Sequence, residues 1–139
     1  MADWQRSTVE SSYGDLAPEV RASLEAYAEK HELGDVGADA TFCAVTISER
    51  KKLFGRRRQT VSVVATPAHL LWTLGEGGDV TTVGVRRSEV EIREFRSDLV
   101  QDTGIEVFGF VPMGAPERAT AFIGLGPEAA GQKLREALA

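Results

Sequence analysis

Leu16, Val20, Leu24 and Tyr27 recur at steps of four, four and three, the spacing of one apolar stripe on an α-helix. The pattern predicts a helix over residues 15–34. Asp15 stands where a cap belongs, Pro18 falls in the first turn, where its missing N–H has no helical partner, and Gly34 is the stop. Glu19, Arg21, Glu25 and Glu29 form the solvated face, and His31 sits in the last turn, where the helix dipole favours a cation. Residues 1–14 are polar apart from isolated Trp4 and Tyr13 and show no period, so they read as a flexible arm, with Trp4 a stray aromatic of that arm or a residue that docks on a partner or on the domain itself.

From Thr41 the period shortens to two. Cys43, Val45 and Ile47 mark one face of a first strand over 42–48, Val61, Val63 and Ala65 a second, and Leu70, Trp72 and Leu74 a third. Gly75–Asp79 reads as a turn, because glycine takes positive φ without penalty. A fourth strand over 80–85 and a fifth over 90–95 flank Arg86, Arg87 and Ser88. Ile105, Val107, Gly109 and Val111 line one side of a sixth, with Phe108 and Phe110 on the other; Pro112–Pro116 is a loop and Ala119–Gly124 a seventh strand. A last helix runs from Pro127 to Leu138 on the stripe Ala130, Leu134, Leu138, with Glu128 in its first turn, and Gly131 there marks a close approach to a sheet. The core expected from this pattern is Cys43, Val45, Ile47, Trp72, Phe108 or Phe110, Ile123 and Leu134.

Seven short strands followed by one amphipathic helix predict a mainly β fold with α elements. The segments ATPAHLLWTL (65–74), VTTVGVRRSEVEIREF (80–95) and FIGLGPEAAGQKLREAL (122–138) resemble, in turn, the third-strand entry, the next two strands, and the last strand with its capping helix in bacterial pleckstrin-homology-like (PH-like) domains. The resemblance implies a PH-like barrel of about seven antiparallel strands over residues 38–139, capped by the C-terminal helix, with the helix over 15–34 as an addition. A lipocalin-like or other small barrel with flanking helices is the alternative.

Composition narrows the class. The 139 residues suit one domain, and 42% hydrophobic with 27% charged residues is globular. A net charge of −5 disfavours nucleic acid as a partner. The absence of Asn and the excess of Arg over Lys suit a GC-rich bacterial gene. No leader pattern or apolar run of about 20 residues is evident, so the expected location is the cytoplasm, with the inner membrane face as a peripheral site.

Catalytic signals are absent. Neither histidine sits in a paired motif, no zinc-ligand spacing or phosphate-binding glycine loop occurs, and no cofactor or metal is expected. Cys43, the single cysteine, reads as a small core residue, and a Cys43–His69 dyad has no spacing to support it. Glu89, Glu91 and Glu94 read as exposed charges.

The informative cluster is Arg50, Lys51, Lys52, Leu53, Phe54, Gly55, Arg56, Arg57 and Arg58, expected as a loop between the first two strands. Its six cations lie in a chain of opposite net charge, so the molecule is strongly polarised. In eukaryotic PH domains this loop carries a Lys followed by Lys/Arg-x-Arg that grips phosphoinositide phosphates; Lys51 or Lys52 followed by Arg56–Arg58 is similar. Leu53 and Phe54 at the tip suit a bilayer surface or a partner groove, or fold back on the core. The function expected is a non-enzymatic protein-interaction or assembly module, partnered by another protein or by itself. The alternatives are a peripheral binder of anionic lipid or phosphate groups through this loop, and a small ligand-converting enzyme.

Overall fold

The computed structural model describes residues 4–51, 53–95, 102–110 and 119–138. Residues 1–3 of the expected arm, Lys52, Val111 and the Pro112–Pro116 loop lie outside these residues. Half of the described residues are in strands, arranged as two antiparallel sheets. The first has the order β1 (Gln5–Ser11), β2 (Phe42–Lys51), β3 (Arg56–Ala65), β4 (His69–Glu76), β5 (Asp79–Arg86). The second has the order β6 (Glu91–Glu94), β7 (Gly104–Phe110), β8 (Ala119–Gly124). Three α-helices complete the chain: α1 (Pro18–Lys30), α2 (Val36–Asp39) and α3 (Ala129–Leu138). The seven strands read from periodicity are β2–β8. They do not close into a barrel: among the described residues no ladder joins the two sheets.

The flexible arm expected over 1–14 is corrected by β1. Seven residue pairs, from Gln5↔Glu49 to Ser11↔Cys43, add it antiparallel to β2. The burial pattern explains why its sequence hides it. Thr8 is buried, whereas Val9, its one aliphatic residue, is 57% exposed. Thr8 is satisfied where it lies: its hydroxyl is 2.7 Å from that of Thr46 and accepts the Gly126 N–H at 2.8 Å. The Thr8 N–H donates to Glu128 Oε2 at 3.2 Å, so the free edge of β1 is tied to the turn before α3.

Both faces of the five-stranded sheet are covered. On one face Val63, Ala65, Leu70 and Trp72 pack with Ile105, Val107 and Ile123 of the second sheet and with Leu134 and Leu138 of α3. On the other, Cys43, Val64 and Leu71 pack under Leu16, Val20, Leu24 and Ala28; of the predicted stripe Leu16, Val20 and Leu24 are buried and Tyr27 is partly buried. Burial on two faces makes Val63–Val64 and Leu70–Leu71 continuous apolar pairs. Each fully buried leucine contributes about 1.5–3 kcal/mol. The expected core needs adjustment at three positions. Val45 and Ile47 are only partly buried, and on β7 Ile105 and Val107 are buried while Phe108 lies beneath the Arg93 guanidinium at 4.7 Å; the Phe110 side chain lies outside those described.

The helix ends also differ from expectation. Asp15 lies in a 3-10 turn (Tyr13–Asp15), and α1 starts at Pro18 after Ala17, which gives no side-chain cap. It ends before Gly34. Leu33 N–H donates to Ala28 C=O and Glu32 N–H to Glu29 C=O, the paired bonds of a Schellman cap, with Glu32 at φ 56° in the left-handed position usually held by glycine. α3 starts at Ala129, two residues later than expected, and Gly131 approaches the Gly126 carbonyl rather than a strand: a Cβ there would lie 2.7 Å from that oxygen.

Candidate functional site

The nine residues expected as a basic loop form most of a β-hairpin. β2 and β3 pair over ten positions, from Phe42↔Ala65 to Lys51↔Arg56, leaving only 52–55 to turn the chain. Gly55 takes φ 83°, which the return requires. The β1 pairing stops at Glu49 and the β4 pairing stops at Thr60. Arg50↔Arg57 and Lys51↔Arg56 therefore extend beyond both neighbouring strands, and the hairpin projects from the sheet.

Residues opposite one another across a ladder share a face, and neighbours along a strand alternate. Arg50 and Arg57 thus share the face of Arg6 and Ser48, and Lys51, Arg56 and Arg58 share the other with Glu49. The two faces are chemically different. Arg57 makes a forked pair with Glu76, Nε to Oε1 at 2.6 Å and Nη2 to Oε2 at 3.1 Å, and Gln59 Nε2 donates to the same carboxylate at 3.2 Å. The Trp4 ring lies against three guanidinium groups, with Arg50 at 4.8 Å, Arg6 at 5.2 Å and Arg57 at 5.9 Å from its centroid. Cation–π contacts of this length are worth about 0.5–1 kcal/mol at exposed sites and more when desolvated. Arg50 and Arg57 are therefore committed to holding the base of the hairpin.

On the opposite face, Arg56 reaches Glu49 only loosely, at 3.4 Å, with both side chains exposed. Lys51 and Arg58 have no ion pair among the described residues. At the tip, Leu53 is 91% and Phe54 87% exposed, so neither folds back on the core. The site is two bare apolar side chains at the end of a projecting hairpin, followed down one face by Lys51, Arg56 and Arg58. Lys52 lies outside the described residues.

Arg6 and Glu76, which anchor the hairpin base together with Trp4, escaped sequence reasoning. Their only signal was a lone tryptophan two residues before an arginine, in a segment without apolar period.

The other candidate chemistry falls away from the hairpin. Cys43 is 3% exposed beneath α1, and burial pushes its thiol up to about 11, which opposes thiolate formation at neutral pH. Among the described residues no three His, Cys, Asp or Glu side chains are placed to share a metal ion. No described helix is long and apolar enough to cross a membrane. Comparison with protein-family models, with curated proteins and with solved structures found no match to this chain.

Proposed function

We propose that the chain is a non-enzymatic interaction or assembly module of PH-like architecture, acting in the cytoplasm through the β2–β3 hairpin on an acidic protein surface. The architecture is supported by the order of elements: a four-strand meander, β2–β5, then a three-strand meander, β6–β8, then α3, with β1, α1 and α2 as additions. The observation that carries the function is the near-complete exposure of Leu53 and Phe54 beside cations that the fold does not use. Exposed aromatic and aliphatic side chains ringed by charge are what an interaction surface presents before it meets its partner.

The same adjacency favours a second reading, an anionic bilayer, with Leu53 and Phe54 entering the interface and the cations on lipid headgroups, each worth about 1 kcal/mol near such a surface. Two measurements separate the readings. An immobilised synthetic peptide rich in Glu and Leu should capture the parent chain and lose it on Arg56→Glu/Arg58→Glu. Sedimentation with vesicles of phosphatidylcholine alone and with added phosphatidylserine should leave the chain in the supernatant. Pelleting with the anionic vesicles that disappears in Leu53→Ser/Phe54→Ser would replace the protein surface by the membrane.

A further inference from the structure

The hairpin has a counterpart of opposite charge in its own chain. Residues 15–39 carry seven acidic and two basic side chains. Glu25, Glu29 and Glu32 follow at steps of four and three, so they stand along one side of α1 and its cap, and Asp35 precedes α2. These four carboxylates rim a cleft of about 480 Å³ floored by the buried Ala28 and Val36. None of the four belongs to an ion pair among the described residues. Glu25 accepts the Tyr13 hydroxyl and Asp35 caps α2 through the Ala38 N–H, but no cation lies within ion-pair distance of the rim among the described residues, and like charges at this helical spacing repel by a few tenths of a kcal/mol per pair.

Hairpin and cleft are inverse in form. One presents an apolar tip flanked by cations; the other presents a cleft inside a ring of carboxylates. We propose that the partner of the hairpin is a second copy of this chain, with Phe54 of one copy entering the cleft of the next between α1 and α2, and Arg56 and Arg58 facing Glu25 and Glu29. The proposal rests on the hairpin being the working surface and gives that surface its occupant. Charge complementarity supplies both the encounter rate and the register of such a contact. Because each copy offers one hairpin and one cleft, the contact is head-to-tail, and assembly continues into chains or closes as a ring.

The test is light scattering on three proteins. The parent should grow in mass with concentration at low salt and return to a single chain near 1 M salt, where the Debye length is about 3 Å. The hairpin variant Arg56→Glu/Arg58→Glu and the cleft variant Glu25→Lys/Glu29→Lys should each stay monomeric, with unchanged circular dichroism, because all four positions are exposed. Mixed together, they should associate again from a 1:1 dimer that joins the intact hairpin of the cleft variant to the intact cleft of the hairpin variant, and the two reversed surfaces, which are also opposite in charge, can extend it. That dimer also shows that both variants are folded, and Glu25→Gln/Glu29→Gln should weaken association without reversing it. A parent that stays monomeric at every concentration and salt overturns the self-association while leaving the hairpin reading to the peptide and vesicle measurements. Growth of the hairpin variant equal to that of the parent overturns the hairpin's part in self-association. Two monomeric variants that do not combine overturn the pairing of these two surfaces.

Discussion

Arg6 and Asp102, 96 residues apart, meet through two parallel N–H···O bonds of 2.8 Å, and both side chains are nearly buried. The Arg6 guanidinium also donates to Ser48 Oγ at 2.7 Å and lies 5.4 Å from the Phe122 ring centroid. One side chain thus bonds β1 to β2 and to the residue that leads into β7. Asp102→Asn should destabilise the fold by about 3 kcal/mol, because it leaves a largely buried guanidinium without its counter-charge. Chemical denaturation of the two proteins checks this.

The same pair sets an acid limit. Burial acts to raise the Asp102 carboxyl, but the Arg6 hydrogen bonds and the Thr103 N–H outweigh it and hold the group below its ordinary 3.8. A carboxyl lowered in the folded state adds stability that is complete above the unfolded value and is lost as pH falls through the folded one. Stability of the parent should therefore drop below about pH 3.8. In Asp102→Asn that part of the acid dependence should vanish; an identical acid profile in the variant would remove Asp102 as its cause.

The three arginines at 56–58 should not behave alike. Arg57→Glu places a carboxylate against Glu76 and breaks the contact with Trp4, so it should lower the melting temperature. Arg56→Glu and Arg58→Glu should leave it within about 0.5 kcal/mol of the parent in stability, because exposed side chains away from such contacts contribute little. Thermal melts of the three single variants decide it.

Glu32→Gly should stabilise the protein by about 0.5–1 kcal/mol. Glu32 occupies the left-handed position of the α1 cap, at φ 56°, where a side chain is strained and glycine is not. The larger entropy of glycine in the unfolded chain offsets part of that gain. A melting temperature at or below that of the parent would show that the cap is not strained.

Cys43 should resist thiol reagents in the native protein and react on denaturation, since it is buried beneath α1 and its thiol titrates near 11. Rapid labelling of the native chain would place it at a surface.

The parts of the fold that were legible are those in which burial leaves a period. α1 buries Val20, Leu24 and Ala28 on one side and α3 buries Leu134 and Leu138, and each shows as a helical stripe. β2–β8 were legible as strands, but their faces were harder to assign, because α1 covers one side of the first sheet and the second sheet covers the other. β1 was illegible for a different reason. Its inward side chains are Arg6 and Thr8, satisfied by hydrogen bonds from distant residues, and a polar inward face has no hydrophobic period. The hairpin was legible as a concentration of charge. Its division into arginines that hold the fold and cations that remain free depends on Trp4 and Glu76, whose approach only the folded chain reveals.

The binding of β1 to the α3 corner also orders events in time. Thr8 meets Gly126 and Glu128 across separations of 118 and 120 residues, and Glu10 meets Lys133 across 123. On a ribosome, β1 emerges before β2–β8, yet its outer edge waits for partners that follow far behind it in the chain. In that interval β1 can ladder onto β2 while its outer amides stay bare, an open edge on which nascent neighbours can pair. Contacts of such span are also the slowest to form, because the intervening loop must close before they give any return. The turn that leads into α3 is therefore the one that seals the outer edge of β1.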